Sequence, residues 1–328
     1  MNYRKFGSTE FKASEIGFGA WAIGGSWGAQ DDGDSVKALH TALDTGVNFI
    51  DTAAGYGNGH SERLIGKVLK ERSEEIFVAT KTPVTGDGGW PPSPHCEVCA
   101  RYPESYLREN IEERLRCLGV ETIDLLQLHT WTRAWNKNPE ALEILHTLKQ
   151  EGKIRAIGIS TPEHDQNCVV DLMRRGLIDS VQVIYNIFEQ EPAAELLPVA
   201  HETGTAVIVR VAFDEGVLTG KYNADTTFPD GDFRQNYFSG DRIARATARV
   251  DAIREELESV QGFDLTMAQT ALRFVLDHPA VSTVIPGIRT SEQALQNTAV
   301  SDLSNLPEEV MMKLRNYNWR RAFWYDGK

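Results

Sequence analysis

Short apolar runs alternate along the chain with longer segments in which apolar residues recur every three or four positions. Runs rich in Val and Ile predict strands, and the longer period predicts amphipathic helices. The predicted strands cover residues 14–24, 47–53, 76–81, 123–129, 155–160, 180–185, 206–211 and 281–287. The predicted helices cover residues 34–46, 61–72, 106–119, 139–153, 167–176, 193–204 and 266–278. Because the strands are apolar on both faces and helices follow them, the pattern predicts parallel strands covered by helices.

Eight such units predict an α/β fold, a closed (β/α)₈ TIM barrel in a single domain over residues 1–328. A doubly wound open sheet is the alternative, because it shares the alternation. The glycine cluster at 17–25 favours the barrel, since it lacks the spacing of the dinucleotide fingerprint and the helix that should follow it. We expect an N-terminal hairpin turning at Gly7 and Ser8, long loops after several strands, and an added helix with an aromatic tail at 306–328.

Composition narrows the choice of partners and compartment. The 328 residues are 41% hydrophobic and 25% charged, which is typical of a soluble globular protein. A net charge of −13 without a basic stripe argues against nucleic acid and against an anionic membrane as the main partner. We found no leader pattern and no apolar run of about 18 residues. Four cysteines make no disulfide scaffold, so we expect a cytoplasmic protein with reduced thiols; its oligomeric state stays open.

Titratable and polar residues end several of the predicted strands. In a closed α/β barrel the carboxyl ends of the strands open into the active-site loops. Taken one at a time, such residues have structural explanations, as a helix cap, a solvated strand end or a satisfied core histidine. Their recurrence at one end of successive strands favours a shared site. The residues are Asp51, Lys81, His129, Ser160, Gln182 and Arg210, with Tyr56 in the loop after the second predicted strand.

Four of these residues form a chemical unit. A free tyrosine has a pKa near ~10, which makes it a weak proton donor at neutral pH. A neighbouring Lys81 ammonium would lower the pKa of Tyr56, and Asp51 would hold Lys81 charged and in place. His129 could hydrogen-bond the oxygen being protonated. We therefore expect Tyr56 to protonate a carbonyl oxygen while hydride reaches the carbonyl carbon.

The segment "DTAAGYGNGHSERLIGKVL" (51–69), with Lys81 and His129, resembles the catalytic tetrad of the aldo-keto reductase family in its motif contexts. The likeness extends from "IGFGAW" through "GISTPEH" and "DEGVLTGKY" to "VIPGIRTSEQALQN". It implies a (β/α)₈ barrel and NADPH-dependent reduction of an aldehyde or ketone, with the nicotinamide across the barrel mouth. A non-catalytic or sensor NADP-binding subunit is the alternative, and the intact tetrad favours the enzyme. A metal-dependent hydrolase is disfavoured, because only one histidine ends a strand.

The same resemblance implies the cofactor site. Ser160 and Gln182 match the pair that binds the nicotinamide carboxamide, and Arg289 matches the residue that pairs with the 2′-phosphate. We therefore expect NADP(H) as the preferred cofactor, with NAD(H) possible. The full expected set is Trp21, Asp51, Ser160, Gln182, Arg210, Val211, Phe213, Gly216, Leu218, Lys221, Pro286, Gly287, Ile288, Arg289, Gln293, Gln296 and Asn297.

Three positions depart from the family pattern. Arg210 stands where many members have an aromatic residue that stacks on the nicotinamide. Its guanidinium could stack there, point at an anionic or polar substrate, or form a salt bridge to a carboxylate such as Asp214. Thr161 replaces a usual asparagine, and Gln296 replaces a frequent glutamate. None of the three belongs to the tetrad.

The long loops suggest a small-molecule carbonyl substrate that is bulky and apolar or aromatic. The expected substrate contacts are Trp21, Tyr56, Trp90, His129 and Trp131, with Trp135 as a further candidate for the pocket wall. His95, Cys96 and Cys99 have spacing found in zinc sites, but no second CxxC motif supplies the remaining ligands. We therefore predict no metal.

Overall fold

The computed structural model describes residues 1–25, 27–86 and 89–319. An antiparallel hairpin opens the chain, formed by β1 (Tyr3–Lys5) and β2 (Lys12–Ser14). Gly7 in its turn has φ +59°, a left-handed conformation that glycine adopts without strain. Phe6 at the tip is fully buried, with its ring 5.3 Å from that of Phe49 on the next layer. The hairpin predicted around Gly7 is confirmed, and it covers the amino-terminal end of the central sheet.

Eight parallel strands follow within the described part of the chain, and each pairs with the next in sequence order. Their inward and outward faces are both largely buried, as expected for strands covered by helices. The strands are β3 (Phe18–Gly19), β4 (Phe49–Asp51), β5 (Phe77–Thr82), β6 (Ile123–Leu128), β7 (Ile154–Ser160), β8 (Ser180–Ile184), β9 (Ala206–Arg210) and β10 (Thr283–Val284).

The two ends of this curled sheet are joined by isolated bridges rather than by a continuous ladder. Ile16 pairs with Val284 and Gly19 with Gly287, both in parallel. Gly19 has no room for a side chain, since a Cβ there would lie 2.6 Å from the carbonyl oxygen of Ile285. Eight parallel strands are consistent with the predicted (β/α)₈ fold, whereas the strand order itself is that of an open sheet.

Helices connect the strands and continue past the last one. Seven of them match the predicted segments, with boundaries shifted by a few residues. In the described residues they are α1 (Asp32–Asp44), α2 (His60–Leu69), α3 (Val98–Arg101), α4 (Glu104–Leu118), α5 (Glu140–Gln150), α6 (Val170–Arg174), α7 (Leu196–Thr203), α8 (Phe233–Tyr237), α9 (Arg242–Glu258), α10 (Met267–Leu276), α11 (Ser291–Thr298) and α12 (Glu308–Arg315). No helix in these ranges is long and apolar enough to cross a membrane.

The C-terminal part adds to the pattern read from the sequence. The added helix is present as α12, and the aromatic tail beyond Trp319 lies outside the described residues. Helix α9, at 17 residues, was assigned to no element in the sequence analysis. Its buried residues Ile243, Ala246, Val250, Ile253 and Leu257 recur at three- and four-residue intervals, so a helical signal was available there.

Candidate active site

A buried ion pair lies at the carboxyl ends of two adjacent strands. Asp51 ends β4 and Lys81 lies one residue before the end of β5; their exposed fractions are 2% and 0%. The Lys81 ammonium donates to Asp51 Oδ1 at 2.5 Å and to the Thr52 carbonyl oxygen at 2.8 Å. Burying a cation is costly unless it is paired, and these acceptors supply the pairing. The predicted association of Asp51 with Lys81 is present.

The phenol of Tyr56 completes the surroundings of this cation. Lys81 Nζ donates to the Tyr56 hydroxyl oxygen at 3.2 Å. Burial raises the pKa of Tyr56. This effect is larger than the opposing effect of the Lys81 ammonium, which acts to lower the pKa of Tyr56. Burial also acts to lower the pKa of Lys81, but the charges of Asp51 and Tyr56 raise it overall. Lys81 thus has the expected effect on the pKa of Tyr56, but burial outweighs it and the pKa is raised overall.

Two glutamine amides brace the second oxygen of Asp51. Gln182 Nε2 donates to Asp51 Oδ2 at 2.7 Å, and Gln127 Nε2 donates to the same atom at 3.1 Å. Gln182 Nε2 also lies 3.3 Å from Gln127 Oε1. Gln127 was not predicted as a site residue, although a glutamine inside an otherwise apolar strand was a usable signal. Gln182, expected at the cofactor, directs its amide hydrogens at the tetrad carboxylate.

His129 follows β6 and stands beside the phenol. Its ring lies 6.2 Å from the Tyr56 ring in an edge-to-face arrangement. Burial, followed by the charges of Lys81 and Arg210, lowers the pKa of His129 well below its usual range. At neutral pH the imidazole is therefore uncharged and carries one N–H donor. Asp51, Tyr56, Lys81 and His129 are thus brought together at one mouth of the sheet.

Aromatic side chains surround this mouth. The Trp21 ring lies 6.3 Å from that of Tyr56, and the exposed Trp90 ring lies 5.3 Å from that of His129. Phe233 in α8 lies 5.0 Å from Trp21, a neighbour that the sequence analysis did not identify. Aromatic rings thus lie beside Tyr56 and beside His129, next to the polar tetrad.

Two tryptophans expected in the pocket wall lie in the core instead. Trp131 is fully buried, and its indole N–H donates to Asn136 Oδ1 at 2.7 Å. Trp135 is 4% exposed and donates to the Cys96 carbonyl oxygen at 2.6 Å. The assignment of Trp131 as a substrate contact is corrected, since no part of it faces solvent or an open pocket. Satisfied indole donors pack well in a core.

Three cations, Lys221, Arg234 and Arg289, influence one another at the rim, and Arg234 is paired with Asp232 through two side-chain hydrogen bonds. Burial and the charges of Arg234 and Arg289 lower the pKa of Lys221. Burial and Arg234 also lower the pKa of Arg289, with Asp232 opposing them. Mutual repulsion of cations in a partly buried cluster is an arrangement that an anion relieves. The residues present therefore fit the phosphates of a dinucleotide. Arg234 was not among the expected contacts.

Arg289 is held by the loop that follows β3. Its Nε donates to Gln30 Oε1 and its Nη2 to the Ala29 carbonyl oxygen, both at 2.7 Å. Its backbone N–H donates to Gln293 Oε1 at 2.8 Å. Gln296 donates to Glu292 Oε1 within the following helix. Two of the expected cofactor residues, Gln293 and Gln296, are thus engaged in contacts within the protein.

The remaining expected cofactor residues differ in how much of each is exposed to solvent. Gly216 has φ +95° and sits close to Tyr222, whose hydroxyl oxygen would lie 2.7 Å from an added Cβ. Gly287, in contrast, faces open space. Val211 and Phe213 are partly buried and lie between Arg210 and Gly216. The buried members of the set are Ser160, Leu218, Pro286, Ile288 and Asn297.

The carboxylate that meets Arg210 is Glu163. Arg210 Nη2 donates to Glu163 Oε1 and to the Thr161 carbonyl oxygen, both at 3.1 Å. Sequence analysis named Asp214 as an example partner, and Glu163 takes that place. The Thr161 hydroxyl donates to the Gln182 carbonyl oxygen at 3.1 Å, so it is used within the protein. Among the described residues, no group of three His, Cys, Asp or Glu side chains could hold a metal ion, His95, Cys96 and Cys99 included.

Comparison with proteins of known sequence gives consistent matches over most of the chain. "Aldo-keto reductase YhdN" of Bacillus subtilis (strain 168) is 31% identical over 299 residues, which cover 89% of this chain and 86% of that protein. "NADH-specific methylglyoxal reductase" of Escherichia coli (strain K12) is 29% identical over 317 residues, covering 91% and 93%. Aldo-keto reductase yakc of Schizosaccharomyces pombe, whose name specifies NADP(+), is 29% identical over 244 residues, covering 71% and 67%.

The fold comparison agrees with the sequence matches. The solved structure of the glycerol dehydrogenase AKR11B4 from Gluconobacter oxydans superposes with a TM-score of 0.76 at 31% identity, covering 96% of this chain and 94% of that one. The sequence model of the Aldo/keto reductase family matches residues 15–318. A match of this extent shows the family, and the chain belongs to the aldo/keto reductases, a family of oxidoreductases.

Proposed function

We propose that the protein is an NADPH-dependent carbonyl reductase in which Tyr56 gives the proton to the carbonyl oxygen. The observation that carries the proposal is the position of the Lys81 ammonium, 2.5 Å from Asp51 Oδ1 and 3.2 Å from the Tyr56 hydroxyl. A cation held between a carboxylate and a phenol can stabilise the phenolate that remains after proton transfer. This arrangement suits an acid that must lose its proton only when an oxyanion develops.

The four residues Asp51, Tyr56, Lys81 and His129 then have different roles in the proton transfer. Tyr56 keeps its proton through neutral pH, because burial raises its pKa. The uncharged His129 donates its N–H to the carbonyl oxygen and orients it toward the phenol. Asp51 keeps Lys81 charged, and the two glutamine amides keep Asp51 in place. A bound dihydronicotinamide supplies the hydride.

The cation cluster of Lys221, Arg234 and Arg289 supports a phosphate-bearing cofactor at the rim. We propose NADP(H), with the guanidinium of Arg289 on the 2′-phosphate, since a planar fork binds two phosphate oxygens. The names of the relatives specify both cofactors, NADH for one and NADP(+) for another. NAD(H) is therefore the alternative that a side-by-side measurement must separate.

The aromatic rings of Trp21, Phe233 and Trp90 favour a flat apolar or aromatic aldehyde or ketone as the substrate. We propose that such a compound lies with its carbonyl between Tyr56 and His129. We also propose that the bridges between Gly19 and Gly287 and between Ile16 and Val284 close the eight strands into one barrel domain. A small-molecule substrate and a cytoplasmic location go with this function.

The test is the Tyr56→Phe variant with an aromatic aldehyde, followed by the absorbance of NADPH. Turnover should fall by about 10²–10⁴-fold, because phenylalanine has no proton to give, while NADPH binding measured by tryptophan fluorescence is retained. Tyr3→Phe makes the same chemical change on the exposed hairpin and should leave turnover unchanged. Normal turnover by Tyr56→Phe would overturn the assignment of the acid. NADPH binding by the wild type without turnover of any carbonyl compound would favour the non-catalytic subunit.

A further inference from the structure

Arg210 is held over the mouth by the loop that follows β7. It ends β9 beside Ile184, the last residue of β8. Its Nη2 donates to the Thr161 carbonyl oxygen and to Glu163 Oε1, both at 3.1 Å. Its Nε is buried and has no hydrogen-bond partner among the described residues. The guanidinium is therefore fixed on one side and lacks a full set of acceptors.

The backbone is strained at Val211, the residue directly after Arg210. Val211 has φ +57°, a left-handed conformation that is a genuine outlier for a β-branched residue. Such strain persists where the surrounding structure over-determines the conformation. Asn186 contributes here, since its Nδ2 donates to the Val211 carbonyl oxygen at 2.9 Å. Arg210 therefore ends its strand directly before a residue whose strained conformation is held by the surrounding structure.

The positive charge of Arg210 acts on the reacting groups. After burial and Lys81, Arg210 is the remaining cause of the lowered pKa of His129. It also opposes the burial that raises the pKa of Tyr56. The other cation at the mouth, Lys81, is paired with Asp51 at 2.5 Å, whereas Arg210 has its single carboxylate at 3.1 Å on a partly exposed side chain. The charge of Arg210 therefore acts on both residues between which the hydride-donating ring would lie.

We propose that Arg210, positioned by Glu163, makes the site select the reduced nicotinamide over the oxidised one. This inference rests on the proposed function. When a carbonyl is reduced, the C–H bond of the dihydronicotinamide breaks and its electron pair forms a C–H bond to the carbonyl carbon. The carbonyl π electrons move to oxygen, which takes the proton of Tyr56, and the ring becomes a cation. A nearby guanidinium repels that cation and leaves the neutral dihydronicotinamide unaffected.

Selection of the reduced form has a functional consequence. The enzyme would load the reduced cofactor from a mixed pool and release the oxidised product readily, so inhibition by the oxidised cofactor would be weak. A unit charge several ångströms away, at an effective dielectric near ~20 and partly offset by Glu163, changes the relative affinity by about tenfold. In a two-electron couple, that tenfold change corresponds to a potential of the bound cofactor about 30 mV more positive.

The test compares dissociation constants for NADPH and NADP⁺, measured by calorimetry at one ionic strength, in four proteins. The wild type should bind NADPH at least about tenfold more tightly than NADP⁺. Arg210→Met should reduce that ratio about tenfold, Arg210→Lys should keep most of it because the charge remains, and Glu163→Gln should raise it because the guanidinium loses its counter-charge.

The outcomes separate this inference from the proposed function. A structural role for Arg210 would weaken both redox forms equally, leaving the ratio unchanged in Arg210→Met, and that result would overturn the inference. A ratio near one in the wild type would do the same, even if the enzyme reduces aldehydes normally. If neither NADPH nor NADH binds to the wild type, the proposed function itself fails.

Discussion

The floor of the mouth and its rim are built in different ways. The floor consists of Asp51, Lys81, Gln127 and Gln182, whose exposed fractions are all 2% or less, and every one of them lies on a strand. The rim consists of two loops that are far apart in the chain, one at Trp27 and the other at Asp232. Trp27 pairs with Asp232 through the backbone, and the Arg234 guanidinium lies 4.4 Å from the Trp27 ring.

This difference assigns separate tasks to the two regions. Side chains on adjacent strands keep their spacing because the strand register fixes it, which suits chemistry that tolerates little misplacement. Contacts such as Trp21 with Phe233 and Arg289 with Gln30 join residues outside the strands, so no strand register fixes their spacing. Changes in the floor should therefore act on the chemical step, and changes in the rim should act on cofactor affinity.

The largest effect is expected from Asp51→Asn, which removes the charge that offsets the burial of Lys81. The pKa of Lys81 should fall, because burial acts most strongly to lower it and Asp51 is the main group that raises it. We expect kcat/KM for an aromatic aldehyde to fall by about 10²–10⁴-fold, with NADPH affinity changed by less than about fivefold.

A matched substitution gives the control. Asp124 lies on β6 and is ion-paired with Arg155 at 2.8 Å on the outer side of the sheet. Asp124→Asn should leave kcat/KM near that of the wild type. If Asp51→Asn weakens NADPH binding as much as it slows turnover, the division between floor and rim is wrong.

Two residues of the floor, Asp51 and Lys81, and the neighbouring His129 could be predicted from the sequence, whereas the contacts of the rim could not. Asp51, Lys81 and His129 were found because parallel strands bring their ends to one edge, whatever the details of packing. Trp27 and Arg234 are separated by some two hundred residues, and no local pattern reports a contact across that distance. The same limit explains Trp131, since its position after a strand does not say whether it faces the pocket or the core.

Burial was the second quantity that the sequence did not supply. The lysine beside Tyr56 was identified, but the net direction of the phenol's pKa depends on how deeply the pair is enclosed. Gln127 was overlooked for a related reason, because its hydrogen bond to Asp51 exists only once β4 and β6 are positioned on either side of β5. Enclosure follows from the complete fold and not from any single segment.

A second buried ion pair, outside the mouth, sharpens the comparison. Glu62 in α2 is fully buried, lies 2.8 Å from Arg114 Nε and accepts from the Thr80 hydroxyl at 2.6 Å. Burial raises the pKa of Glu62 to about 7, with Arg114 opposing it. The folded state therefore holds a proton that the unfolded state loses near pH ~4.5, and the stability from Glu62 falls as pH rises from about 4.5 to 7.

The measurement is the difference in unfolding free energy between the wild type and Glu62→Gln, from urea denaturation at a series of pH values. Relative to the variant, the wild type should lose about 3 kcal/mol between pH ~4.5 and ~7.5. Glu121→Gln, on an exposed turn, should give a flat difference. A flat difference for Glu62→Gln would mean that Arg114 keeps the carboxylate ionised throughout, and turnover by folded Glu62→Gln should in either case resemble that of the wild type.

The smallest effect is expected at the rim, from Arg289→Leu. A charge-assisted hydrogen bond contributes about 1.5–3 kcal/mol, and part of this is already spent on Gln30 and Ala29 in the free protein. We expect NADPH to bind about 10–30-fold more weakly and NADH, which has no 2′-phosphate, to bind within about threefold of the wild type. Titrations of both cofactors by fluorescence would measure the two changes, with kcat for an aromatic aldehyde measured alongside.

The Gln30→Leu variant makes this last test specific. It removes the side-chain acceptor of Arg289 Nε and the donor to the Arg289 carbonyl oxygen, while the bond from Arg289 Nη2 to the Ala29 carbonyl oxygen remains. NADPH affinity should then stay equal or rise slightly, because less must be broken before the phosphate is bound. Equal weakening of NADPH and NADH by Arg289→Leu would mean that Arg289 only holds the loop after β3, and the preference for NADP(H) would have to be abandoned. A large fall in kcat with affinity unchanged would instead show that the rim takes part in the chemical step.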